Sequence, residues 1–95
     1  MPSKPLLPQQ ALGLRVKELR AQKAITQEEL AERCGMFRTY LSRIESGLAN
    51  PTLTALHTLA AGLEVEVVEL LQAPQRQVPA RVRSARPLSR GRVTR

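Results

Sequence analysis

From Ala11 to Leu71 the large apolar residues recur at intervals of three and four, and the breaks in that spacing carry turn or capping signals. Leu12, Val16 and Leu19 fall at i, i+4 and i+7, so they predict one buried stripe on a helix from about Ala11 to Lys23. Arg15, Lys17 and Lys23 fall on its other faces. Thr26 and Glu29 form a capping box, in which each side chain satisfies the other residue's orphan backbone N–H, and a second helix starts there. Leu30, Ala31 and Cys34 face inward from it, and the small Ala31 lets a neighbouring helix come close. Gly35 ends it, because glycine takes the left-handed backbone at least cost. A third helix follows from about Arg38 to Ser46, with Met36 and Leu41 placed as a hydrophobic staple. Its N-cap is Phe37, where Ser, Thr or Asn is preferred, a departure that costs about 1 kcal/mol.

Gly47 to Pro51 read as a loop, and Thr52 caps a fourth helix from Leu53 to about Leu63. Leu56, Leu59, Ala60 and Leu63 line one side of it. A fifth helix covers roughly Glu66 to Leu71, with Val67, Leu70 and Leu71 placed to reach the core. The alternation Glu64 to Val68 is short and lies between helical patterns, so it reads as a turn into the fifth helix rather than a strand. The prediction is an all-α fold, a bundle of five short helices. Pro2, Pro5 and Pro8 mark residues 1–10 as irregular, and Pro74 and Pro79 stop further helix. Residues 72–95 hold too few large apolar side chains to build a core, so the domain spans 11–71 and a tail follows.

Two apolar features exceed what one small core needs. The fourth helix carries no charged residue, and Val65 and Val68 are surplus to the fifth. Leu53, His57, Val65, Val68 and Leu71 are therefore the face predicted to meet a second copy of the chain.

Charge is divided along the chain. Residues 1–71 carry eight basic side chains and eight Glu and sum to zero; residues 72–95 carry seven Arg and no acid. The net +7 thus sits entirely in the tail, which points to a polyanionic partner, most often nucleic acid. A tail that only aids solubility is the plainer alternative. The single cysteine excludes an intramolecular disulfide, and Cys34 reads as a small core residue. No apolar run approaches the about 20 residues that cross a bilayer, and residues 1–10 have no signal-peptide h-region. A cytoplasmic, nucleoid-associated protein with no membrane partner is the expectation.

The chemistry concentrates between Thr26 and Glu45. Two short helices meet at a tight turn, and the second carries Arg38, Thr39, Ser42 and Arg43 on the side away from Leu41 and Ile44. Side chains so placed can enter the major groove of DNA, where Arg38 and Arg43 can each read guanine through O6 and N7. Phe37, at the edge of this helix, either lies on the DNA backbone or a thymine methyl, or packs against the second helix. Enzymatic signals are missing: His57 is the only histidine, there is no Asp, and neither Cys/His metal spacing nor a Gly-rich phosphate loop occurs. No enzyme activity, cofactor or metal is expected, and Glu64, Glu66 and Glu69 read as a solvated run.

From Leu12 to Leu71 the sequence resembles the Xre/Cro-like helix-turn-helix family, which includes lambdoid phage repressors and many small bacterial regulators. The matching blocks are LGLRVKELR, ITQEELAERCG, YLSRIESG, NPTL and LAAGLEVEVVELL, with matching spacing between them. The resemblance implies a lambda-repressor-like domain that binds operator DNA as a homodimer. It implies base contacts from Arg38, Thr39, Ser42 and Arg43, and phosphate-backbone contacts from Gln27, Tyr40, Ser46, Gly47 and Asn50; the exposed edge position of Phe37, not the resemblance, adds it to the phosphate-backbone contacts. Gln27 would also brace the first residue of the recognition helix, and Arg20 and Glu45 would form a largely buried ion pair. Departures from the family pattern are Phe37 at the cap, Val68 at a commonly polar position, and the order of Gly62 and Glu64, which predicts a shifted or weak end to the fourth helix. The tail lies outside the resemblance; Arg76, Arg81, Arg83 and Arg86 are its candidate DNA contacts.

The function these readings predict is sequence-specific regulation of transcription by a homodimer on double-stranded DNA, with repression the favoured mode. Alternatives are an antitoxin that also binds a toxin protein, and an adaptor of the same fold that binds proteins only. Glu28, Glu29 and Glu32 could offer an activator's contact to polymerase, or simply support their helix N-terminus.

Overall fold

The computed structural model describes residues 5–75. Among the described residues five helices follow one another: α1 (Pro8–Lys23), α2 (Gln27–Cys34), α3 (Arg38–Glu45), α4 (Leu53–Leu63) and α5 (Val67–Leu70). No strand occurs among the described residues, and the EVEVV run is the turn into α5. The all-α expectation holds. α1 packs on α3, α4 and α5, while α2 packs on α3 and α4. The core holds most of the residues the apolar spacing predicts: Leu12, Val16 and Leu19 meet Leu30, Ala31, Leu41, Ile44, Leu59, Ala60, Leu63 and Leu70. Cys34, Met36, Leu56, Val65 and Val67 pack at its edge.

α1 begins at Pro8, three residues before the predicted start. Proline at the first helical position brings the right φ and lacks an N–H that would be unpaired there anyway. The preceding Leu7 N–H donates to Gln10 Oε1 at 2.9 Å. Residues 8–10 are therefore helical, and proline here marks a start rather than an irregular run.

Arg15 is the largest departure from the sequence reading. It does not decorate an outer face; it is 5% exposed. Its guanidinium donates to the Glu69 carbonyl at 2.7 Å, to Gln72 Oε1 at 3.0 Å and to Glu18 Oε1 at 3.1 Å. Three acceptors satisfy a charge that burial alone would make costly. Gln75 N–H also donates to Glu18 Oε2 at 2.6 Å, so the folded unit extends past Leu71 to Gln75. Leu71 is not a core residue: it is 62% exposed. Successive helical residues point about 100° apart, and Leu70 is the one that faces inward.

Two glycines set the helix spacing. A Cβ on Gly13 would stand 2.5 Å from the carbonyl oxygens of Ile44 and Glu45, so the α1 and α3 backbones touch there. A Cβ on Gly62 would stand 2.6 Å from Cys34 Sγ, which brings α4 onto α2. This explains the reversed order of Gly62 and Glu64. Glycine is needed at 62 for packing, and α4 still runs to Leu63 with Glu64 in the left-handed conformation at φ 61°. The helix end is neither shifted nor open, since the Glu64 and Val65 N–H groups cap the Ala61 and Ala60 carbonyls at 3.1 and 2.9 Å.

Gly13→Ala is expected to lower the free energy of unfolding by about 3 kcal/mol, the upper range for overpacking, because the obstacle is backbone. Glu64→Gly is expected to raise it by about 1 kcal/mol by relieving the left-handed side-chain penalty. Urea unfolding curves check both, and an unchanged midpoint in either variant contradicts the geometry.

Candidate nucleic-acid interface

The start of α2 and the turn from α2 into α3 are both closed by hydrogen bonds. Thr26 Oγ1 accepts from the Glu29 N–H at 3.0 Å, and Glu29 Oε1 accepts from the Thr26 N–H at 2.8 Å, which completes the predicted capping box. Gly35 takes φ 65°, and the Met36 N–H returns to the Ala31 carbonyl at 3.0 Å. α3 then buries Leu41, Ile44 and Glu45 and leaves Arg38, Thr39 and Arg43 exposed, with Ser42 half-buried beside them. The four residues read as groove-facing thus lie off the core side of one helix. Arg43 Nη2 donates to the Leu48 carbonyl at 3.1 Å, which draws this side chain toward the loop after α3.

Phe37 stands at the N-cap of α3 with no side-chain cap bond. It is 82% exposed and does not pack on α2. Tyr40 is half-buried against the core edge. Ser46 and Asn50 are exposed, and Gly47 turns the chain at φ 78°.

What holds α3 is a knot of polar side chains beneath it. Glu45 is 3% exposed. Arg20 of α1 grips it bidentately, Nε to Oε2 at 2.7 Å and Nη2 to Oε1 at 3.0 Å. Arg20 Nη1 also donates to the Ile25 carbonyl at 3.1 Å. Gln27 Nε2 of α2 donates to Glu45 Oε1 at 3.0 Å. The brace from Gln27 therefore meets the last residue of α3, not the first. Hydrogen bonding to Glu45 raises the Arg20 pKa above its ordinary value, outweighing the lowering by burial. At Cys34 burial pushes the thiol up, against the smaller pull of nearby Arg33, so the thiol stays protonated at neutral pH.

The predicted dimer face divides. His57, Val65 and Val68 line one open groove of about 390 Å³ together with Ala60, Ala61, Glu66 and Val67. Leu71 lies in a smaller groove of about 120 Å³ with Pro8, Gln9, Leu12, Asn50, Pro51 and Leu56. Leu53, Val68 and Leu71 are exposed, whereas Val65 is half-buried on the core and so is not surplus. Arg76, Arg81, Arg83 and Arg86 lie outside the described residues. Among those described, no helix is long and apolar enough to cross a membrane. Besides Arg15, two structural supports escape the sequence reading: Gly13, and Arg33, whose Nη1 donates to the Gly62 carbonyl at 3.1 Å. A glycine inside a helical pattern was the available signal for the first.

A model of the helix-turn-helix family matches residues 16–70. The chain belongs to the helix-turn-helix family. Among its relatives in the family is the uncharacterised HTH-type transcriptional regulator y4dJ of Sinorhizobium fredii, 43% identical over 60 residues, which cover 63% of this chain and 78% of the relative. The HTH-type transcriptional regulator SinR of Bacillus subtilis is 41% identical over 61 residues, 63% of this chain and 55% of SinR. Among solved structures, the hypothetical transcription factor NHTF from Neisseria superposes with a TM-score of 0.70 at 33% identity, over 82% of this chain and 93% of that one. The structure of SinR in complex with DNA superposes with a TM-score of 0.61 at 40% identity, over 64% of this chain and 98% of that one.

Within this family fold, Glu45→Ala strands the Arg20 guanidinium and is expected to cost about 3 kcal/mol of stability. Gln27→Ala removes one donor of three and is expected to cost about 1 kcal/mol. Equal losses from the two substitutions in urea unfolding contradict the knot as described.

Proposed function

We propose that this chain is a sequence-specific regulator of transcription that binds double-stranded DNA as a homodimer and represses by occupying its operator. The observation that carries this reading is the exposed set Arg38, Thr39 and Arg43 on α3, a helix fixed from below by the Glu45 knot. The likeness to SinR, a regulator whose structure was solved with DNA, supports it. In this reading each α3 enters the major groove, and the two copies sit one helical turn, about 34 Å, apart. Arg38 and Arg43 read guanine, Thr39 and Ser42 contact adjacent bases, and Gln27, Tyr40, Ser46, Gly47 and Asn50 hold the sugar-phosphate backbone. Leu53, His57, Val68 and Leu71 supply the contact between copies. The site of action is the cytoplasm, at the nucleoid.

Residues 1–71 are net neutral, so the domain exerts little long-range pull on DNA. The seven arginines of residues 72–95 supply that pull by neutralising phosphates.

In vitro selection of bound duplexes tests the reading. The expected product is a two-fold symmetric consensus with at least one guanine in each half-site. Arg43→Ala is expected to relax one position, with about 1–3 kcal/mol of discrimination lost. Removal of residues 76–95 is expected to lower affinity for all sequences and flatten the slope of log K against log salt. An Arg43→Ala protein with unaltered sequence preference contradicts the readout, an unchanged slope contradicts the role of the tail, and the lack of any preferred sequence favours a protein-binding adaptor.

A further inference from the structure

The Phe37 carbonyl accepts from the Tyr40 and Leu41 N–H groups and so starts α3, but its side chain adds little to the free domain. Its phenyl ring is 82% exposed, so it buries little apolar surface. It stands where α3 wants a cap, yet it has no oxygen to accept from the first-turn N–H groups, and no cap bond is made. The same chain caps α2 with Thr26, which accepts from the Glu29 N–H, and α4 with Thr52, which accepts from the Ala55 N–H. α3, like α1 and α5, starts without a cap bond from its N-cap side chain, and it is the helix that presents Arg38 and Thr39, both exposed, immediately after Phe37. The N-terminal residues of a recognition helix are the ones that approach base edges. A phenyl ring there cannot donate to a phosphate. The apolar feature that a major groove offers it is the methyl group at C5 of thymine.

We infer that Phe37 is a specificity-determining residue that reads a pyrimidine 5-methyl group in the major groove. The inference rests on the DNA-binding reading above. Thymine and 5-methylcytosine present this methyl in the same place, so both belong to the ligand class, while cytosine and uracil do not.

The test uses the full chain and the duplex it selects. Each thymine of the half-site is replaced in turn by deoxyuridine, which removes only the methyl. At one position the wild-type protein is expected to lose affinity about fourfold, the worth of burying one methyl-sized group. Phe37→Ser protein is expected to be indifferent to that replacement, and to melt at a higher temperature than wild type because serine restores the cap. Phe37→Leu, which keeps an apolar side chain, is expected to retain part of the sensitivity. Placing cytosine and then 5-methylcytosine at the same position separates the two sources. Tighter binding to 5-methylcytosine than to cytosine assigns the contact to the methyl itself. Recovery with thymine alone narrows the class to thymine.

If deoxyuridine costs nothing at any position, or costs the Phe37→Ser protein as much as wild type, the inference fails while the selected consensus leaves the DNA reading standing. A consensus half-site with no thymine in either strand overturns it in the same way. Failure to select any consensus overturns the DNA reading first and this inference with it.

Discussion

Three helices meet at the Glu45 carboxylate. It lies on the last turn of α3, receives two bonds from Arg20 of α1, and receives a third from Gln27 of α2. Removing this carboxylate from water is costly, and the three donors are what make the burial tolerable. They also do what the leucines cannot. Apolar contacts are non-directional and roughly proportional to area, so Leu41 and Ile44 hold α3 against the core without fixing its rotation closely. Charge-assisted, bidentate bonds have direction. The face that α3 turns outward is therefore set by Glu45 on its inner side.

The rest of the scaffold serves the same end. An eight-residue helix has little stability of its own and depends on tertiary packing. Gly13 lets α1 press against the Ile44 and Glu45 carbonyls, so α3 is backed along its C-terminal turn. Gly62 brings α4 onto α2 in the same manner. Arg15 then clasps α5 and residues up to Gln72 onto α1, which gives a four-residue helix an anchor it could not supply itself. The outcome is a net-neutral platform that holds Arg38, Thr39 and Arg43 outward, the side chains proposed above to read DNA. The net positive charge lies apart, in residues 72–95.

Much of this was legible in the chain because local rules govern it. The spacing of Leu12, Val16 and Leu19 gave the buried stripe of α1, and the Thr26–Glu29 box, the Gly35 turn and the Thr52 cap gave three helix ends to within a residue. Long-range polar partners were not legible. Arg15 looks like any solvated helix arginine paired with Glu18 until its other two acceptors appear, and these lie 54 and 57 residues away. Gln27 was expected to brace the start of α3, but its partner is at the other end, 18 residues on. The Arg20–Glu45 pair was visible only through the family resemblance, since no spacing rule links residues 25 apart. Pro8 misled because the same residue that breaks a helix interior begins one well. Glu64 misled because Gly62 answers to packing rather than to helix termination. At Phe37 the local rule was read correctly, and the rule itself is broken, which is where a functional demand is most informative.

The central claim is that α3, oriented from beneath by Glu45, lies in the major groove with its arginines on guanine. Guanine N7 faces that groove and can be methylated chemically. Methylation interference on the selected duplex tests the claim most directly. The account predicts that N7 methylation of guanines in two half-sites, centred about 34 Å apart on one face of the duplex, abolishes binding. Binding that survives methylation of every guanine N7 would contradict it.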